Sequence, residues 1–160
     1  MKQHNLFGGI DEIEFIDNEY KIIMGKEDKL QSQIVLDFSQ KRPNEKGLLW
    51  STRNQTFSAR DGQKQKAMGM TAGVADLIYH NEGLMGLEVK VKGEEHKRDH
   101  IINQLNWGKT ITESGGHWCI ITSVAGFWHV LEVQDFEHEG VYSIKDVERL
   151  LSVQKSVIVF

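Results

Sequence analysis

The chain contains a single cysteine, a single proline and no apolar run approaching the length of a membrane span. Each shortage excludes something. With Cys119 alone, no intrachain disulfide can form, which suits a reducing compartment. A spanning helix needs about 20 consecutive apolar residues. The opening MKQHNLFGG also lacks the basic-then-apolar pattern of a signal peptide, so a cytoplasmic protein is expected. Excess positive charge is missing too: the net charge is −4. What is present, 160 residues at 39% hydrophobic content, suits one compact domain with a real core.

The charge is segregated. Residues 41 to 66 carry seven basic residues, among them Arg53, Arg60, Lys64 and Lys66, against Glu45 and Asp61, a local +5. Residues 132 to 148 carry six acidic residues against Lys145. A basic segment on an acidic protein either tracks phosphates or forms a solvated loop. The first reading makes Arg53, Arg60, Lys64 and Lys66 candidate DNA contacts.

Patterning predicts one α/β domain around a mixed sheet. EIEFI and YKIIM, within residues 1 to 24, read as short strands. A helix is expected over 26 to 41, with Leu30, Ile34, Val35 and Phe38 at helical spacing and Pro43 stopping it. GLLWSTR reads as a strand, and residues 55 to 72 as a long mobile loop. A helix follows over about 98 to 114, ended by Gly115-Gly116, then HWCIITS as a strand buried on both faces. Ser143 and Asp146 form a capping pattern that opens a last helix, IKDVERLLSVQ.

The stretch GVADLIYHNEGLMGLEVKVK, residues 73 to 92, reads as a hairpin whose turn centres on Glu82, with Gly83 at a position needing positive φ. Facing residues then have numbers summing to 164, which sets Asp76 opposite Glu88. Alternation puts Asp76, Glu88 and Lys90 on one face, and Ala75, Leu77, Tyr79, Leu87, Val89 and Val91 on the other. Opposed carboxylates repel and want a cation between them. Lys90 alone in a half-exposed surface cluster would serve, and so would a divalent ion, since Mg²⁺ takes oxygen ligands and typically uses one or two carboxylates. Glu27, Gln31, Ile34 and Phe38 share one stripe of the first helix. Its apolar face thus continues into a carboxylate and an amide, fitting either a metal site or a simple N-terminal charge.

The pattern Glu27-x-x-Leu-Gln31, then Gly73-Val-Ala-Asp76-Leu, Glu88-Val-Lys90, and Gln104-x-x-Trp107 before Gly115-Gly116 resembles the VRR-NUC nucleases of the PD-(D/E)XK superfamily. The likeness covers about residues 26 to 131. Ala75 departs from it, standing where the superfamily name records a proline. The resemblance implies a restriction-endonuclease-like αβββαβ core with a mixed sheet over 26–133. An N-terminal extension, 1–25, would precede it, and a short helical C-terminal extension, 134–160, would pack on it.

It further implies that Asp76 and Glu88 bind Mg²⁺ or Mn²⁺, with the Val89 carbonyl as another ligand and Glu27 assisting through water. Lys90 would orient or deprotonate the attacking water, and Gln104 would position Lys90 or a phosphate, with Gln31 secondary. The implied activity is metal-dependent endonucleolytic cleavage of branched DNA, such as Holliday-like junctions, in repair, recombination or phage replication, by a homodimer. A flap or single-strand nuclease is one alternative, and a catalytically silent, clamp-recruited DNA-binding accessory protein another.

Other candidates are weaker. His96 and His100 have zinc-like spacing without a convincing third ligand, and read as solvated. Trp50, Trp107, Trp118 and Trp128 read as core, and Cys119 as buried and inert. Gln3, Leu6 and Phe7 resemble the short QxxLF peptide that docks bacterial sliding clamps, which makes such a clamp a candidate partner.

Overall fold

The computed structural model describes residues 24 to 52 and 58 to 160, with the main chain of the short antiparallel strands β1 (Ile13–Glu14) and β2 (Lys21–Ile22). Gln3, Leu6, Phe7 and Arg53 lie outside the described residues. Helix α1 (Lys26–Lys41) has the expected span. Glu27 and Asp28 in its first turn and Lys41 in its last complement the helix dipole, and Pro43 opens the short 3₁₀ turn that follows.

Five strands build the main sheet: β3 (Leu49–Ser51), β4 (Leu77–His80), β5 (Leu84–Val89), β7 (His117–Ile121) and β8 (Val141–Tyr142), side by side in that order. Neighbours pair antiparallel except β5 and β7, which run parallel and are joined through α3 (Arg98–Glu113). A parallel pair needs such a crossover, because a tight turn cannot return the chain to the same end. A small second sheet pairs β6 (Glu95–Lys97) with β9 (Val157–Val159). Two further helices, α4 (Val124–Val133) and α5 (Ile144–Val153), complete the C-terminal part. Ser143 and Asp146 form the expected capping box on α5.

Both faces of the sheet are covered. On one, Leu77, Tyr79, Leu87, Val89, Cys119 and Ile121 pack against Ile34 and Phe38 of α1 and Phe127 and Val130 of α4. On the other, Ile78, Trp118 and Ile120 meet Ile101 and Leu105 of α3, Val147 of α5, and Ile158 and Phe160 from the C-terminus. Double coverage explains why β5 and β7 read as near-continuous apolar runs.

Several expectations need correction. Residues 59 to 67 are not loop but helix α2 (Ala59–Ala67). Ser58 Oγ accepts from Asp61 N at 3.1 Å, and Gln65 Nε2 donates to Asp61 Oδ2 one turn back at 2.7 Å. The helix buries no residue, so apolar periodicity could not reveal it. The hairpin register is as expected, with Leu77 opposite Leu87 and His80 opposite Leu84. Gly83, however, is not among the glycines with positive φ. Ala75 packs with Ile78 and Ile101 rather than with Leu77, because β4 begins only at Leu77 and strict alternation does not reach back to it. Trp50 is not core: it sits on edge strand β3 and is 43% exposed.

Candidate active site

The approach to β4 fixes the first carboxylate. Gly73 has φ +80, and a Cβ there would lie 2.4 Å from the Asn103 carbonyl oxygen of α3. Only glycine lets the chain pass this close to the helix. Three residues later Asp76 emerges beside β5, and its Oδ2 accepts from Val89 N at 3.0 Å. Thr52 N donates to the Asp76 carbonyl at 2.9 Å, so the main chain is held from the β3 side as well.

Glu88 points to the α3 face and is fully buried, as is most of Lys90 at 6% exposure. Of the two readings of this hairpin, the half-exposed surface ion cluster does not form, since Glu88 and Lys90 are buried. Gly86, two residues back on the same face, lies under the Trp107 indole, where a Cβ would meet the ring at 2.5 Å. Helix α3 thus packs directly on the carboxylate face. Lys90 Nζ donates to Glu88 Oε1 at 2.8 Å, and Gln104 Nε2 donates to the same oxygen. Glu88 Oε2 and Gln104 Oε1 are buried without a partner.

Helix α1 closes the site from the other side. Glu27 Oε1 lies 3.9 Å from Lys90 Nζ and 3.4 Å from His96 Nδ1. Gln31 turns away, its amide donating to Ser51 Oγ at 3.0 Å. His96 corrects the expectation of a solvated histidine. Its ring packs against Phe160, its Nε2 is buried without a partner, and burial, reinforced by Lys90, lowers its pKa. Its spacing from His100 is visible in the sequence but its burial is not, because the β6–β9 pairing that carries it joins segments about sixty residues apart. His100 stays exposed.

The electrostatics are unbalanced. Burial, with Asp76 adding, pushes the Glu88 carboxyl well above its usual range, only partly opposed by Lys90. Burial and Asp76 likewise raise Glu27 against the pull of Lys90. Burial alone would depress Lys90, but Glu88 and Asp76 outweigh it and raise its pKa. One ammonium therefore serves three carboxylates, and burial bears most heavily on Glu88. Among the described residues, no three His, Cys, Asp or Glu side chains gather closely enough to cage an ion by themselves.

A cleft of about 710 Å³ opens onto Asp76 and Gln104 between α2 and α3. Of the basic residues expected to contact DNA, Lys66 lines it, whereas Arg60 and Lys64 are exposed on α2 away from its lining. Cys119 is fully buried, and burial raises its thiol pKa far beyond the reactive range. Among the described residues, no helix is long and apolar enough to cross a membrane.

No family model and no curated protein matches the sequence. A solved structure described as a "VRR_NUC domain protein" matches at 19% identity with a TM-score of 0.53, covering 70% of this chain and 89% of that one. Identity this low speaks to the fold alone. In fold, the chain is a mixed α/β domain similar to that VRR_NUC domain structure and consistent with a restriction-endonuclease-like core.

Proposed function

We propose that the protein is a metal-dependent endonuclease that hydrolyses phosphodiester bonds in branched DNA. The observation carrying this reading is Glu88: a fully buried carboxylate with one oxygen unpartnered, beside Asp76, with Lys90 the one cation among the described residues set against it. A protein rarely retains such a costly group without use for it. Hard oxygen donors and surplus negative charge fit Mg²⁺ or Mn²⁺. Asp76 and Glu88 would hold the ion with the Val89 carbonyl, and Glu27 would assist through water. When bound, the ion supplies positive charge for the phosphate and acidifies water.

The remaining work belongs to the side chains. Lys90, protonated and fixed by Glu88, presents its ammonium toward a phosphate oxygen or the attacking water. Gln104 keeps Glu88 in place and has a free amide oxygen to orient a water or sugar hydroxyl. Asp76, tied to the Val89 amide, holds its position before an ion arrives.

The test is incubation of purified protein with Mg²⁺ or Mn²⁺ and a panel of four-way junctions, flaps, single strands and plain duplex. Cleavage of junctions ahead of the others is expected. DNA binding without any cleavage would favour the silent accessory protein instead. We also propose that the protein works as a homodimer and that Gln3, Leu6 and Phe7 recruit a sliding clamp. Sedimentation velocity, and pull-down of a bacterial clamp with and without residues 1 to 8, test these two points.

A further inference from the structure

We infer that the cleft between α2 and α3 receives one unpaired nucleotide of the DNA strand being cut, an inference that rests on the nuclease reading and extends it. Two helix faces form its walls. Gln63 and Lys66 stand three residues apart on α2, and Asn103 and Gln104 lie together on α3, with Met70 and Thr71 on the segment between. The volume, about 710 Å³, falls within the range of about 300–1,000 Å³ common for small-molecule sites. An extended sugar-phosphate chain does not need a recess of this size.

The lining chemistry selects a base over a run of phosphates. Among the described residues that line it, Lys66 is the single Lys or Arg, with His100 the one imidazole, and Asp76 at the site end would repel a second phosphate. The side chains of Gln63, Thr71 and Asn103 have no hydrogen-bond partner among the described residues, and Lys66 has no ion pair. Amides offer both donors and acceptors, the combination that reads a base edge, and Met70 supplies a soft apolar surface for a ring face. One cation suits the one phosphate that accompanies the base. The cleft opens beside Asp76, so the nucleotide held there would flank the bond at the carboxylates. An unpaired nucleotide costs least to extrude where the duplex is already interrupted, which would make the protein prefer branched DNA.

The test is fluorescence and affinity in EDTA, so that no DNA is cut. A junction carrying 2-aminopurine at the branch point should brighten on binding, and a duplex carrying it internally should not. Wild type should bind an abasic junction about tenfold more weakly than the base-bearing one. The exposed pair Gln63→Ala/Asn103→Ala should lose that same factor, become indifferent to the abasic change, and bind plain duplex normally. Free deoxyadenosine monophosphate at millimolar concentration should compete for the fluorescence signal. Equal affinity of wild type for abasic and intact junctions overturns the inference, as does equal weakening of junction and duplex in the double variant. Cleavage without base dependence sinks the cleft and leaves the nuclease. Base-dependent binding without cleavage in Mg²⁺ does the reverse. Failure to bind DNA sinks both.

Discussion

The two faces of strand β5 are buried to the same degree and solve burial differently. Met85, Leu87 and Val89 belong to the apolar cluster formed with Ile34 and Phe38 of α1 and Phe127 and Val130 of α4. Gly86 and Glu88 face α3, where Glu88 meets a lysine, an amide and a second carboxylate. The first face gains stability in proportion to the apolar area it removes from water. The second loses some, because it desolvates a charge and leaves an oxygen unpaired. A single strand thus separates what holds the fold from what the fold is arranged to hold. Substitutions on either side should separate along the same line.

The largest effect expected is on chemistry. Glu88→Gln should lower Mg²⁺-dependent cleavage on the order of a hundredfold or more, since it removes a ligand charge while keeping shape. Mg²⁺ should also raise the melting temperature of wild type and not of the variant, which a thermal melt with and without the ion reads directly. Unimpaired cleavage by Glu88→Gln would dissolve the distinction between the faces.

Across the strand, Leu87→Ala should cost about 2–5 kcal/mol of stability in urea denaturation. Cleavage per folded molecule should be little changed at low temperature. A specific loss of Mg²⁺ binding in this variant would mean that the apolar face also tunes the site.

Gly73→Ala bears on how the faces are joined. The added methyl group meets the Asn103 carbonyl, and the left-handed backbone disfavours any side chain. A loss of about 1–3 kcal/mol is expected. Asp76 should be displaced from Val89 with it, so cleavage should fall further than stability alone explains.

A smaller effect follows from Glu88's own titration. Its folded pKa lies above the ordinary value of 4.5, so the folded state binds more protons than the unfolded chain. Its contribution is fully present below about pH 4.5 and is lost as pH rises through the raised folded pKa. In EDTA, the stability difference between Glu88→Gln and wild type should therefore grow in the variant's favour from pH 4.5 upward. Saturating Mg²⁺ should narrow the gap by stabilising wild type alone. A pH-independent difference would show that Glu88 is ionised in the apo fold. Smallest of all, Arg60→Ala/Lys64→Ala should flatten the salt slope of DNA binding by up to about two units, or by nothing if α2 presents them away from the strand.

Much of this was legible in the chain because it depends on local periodicity. The stripe Leu30, Ile34, Phe38 and the stop at Pro43 determined α1, and strand alternation around Glu82 determined the register that sets Asp76 beside Glu88. Helix α2 escaped because a helix with no buried face leaves no apolar period. Its caps and its Asp61–Gln65 bond are short-range polar signals easily read as loop. Helix α4 escaped for the opposite reason: VAGFWHVLEV is apolar nearly all round and gives little contrast between faces.

What only the tertiary structure decided is the environment of the site residues. Sequence alternation put Asp76, Glu88 and Lys90 on one face but could not say whether that face was wet. At Glu88 and Lys90 it is dry because α3 returns across it, Trp107 on Gly86 and Asn103 on Gly73, a contact between segments some twenty to thirty residues apart, while Asp76 stays partly open to the cleft. The same return places Gln104 on Glu88, and the β6–β9 pairing brings His96 to Glu27. Alternation and helical stripes act over a few residues and are written locally. Desolvation depends on every segment that packs overhead, so the charge imbalance at Glu88 exists only once the chain has closed over it.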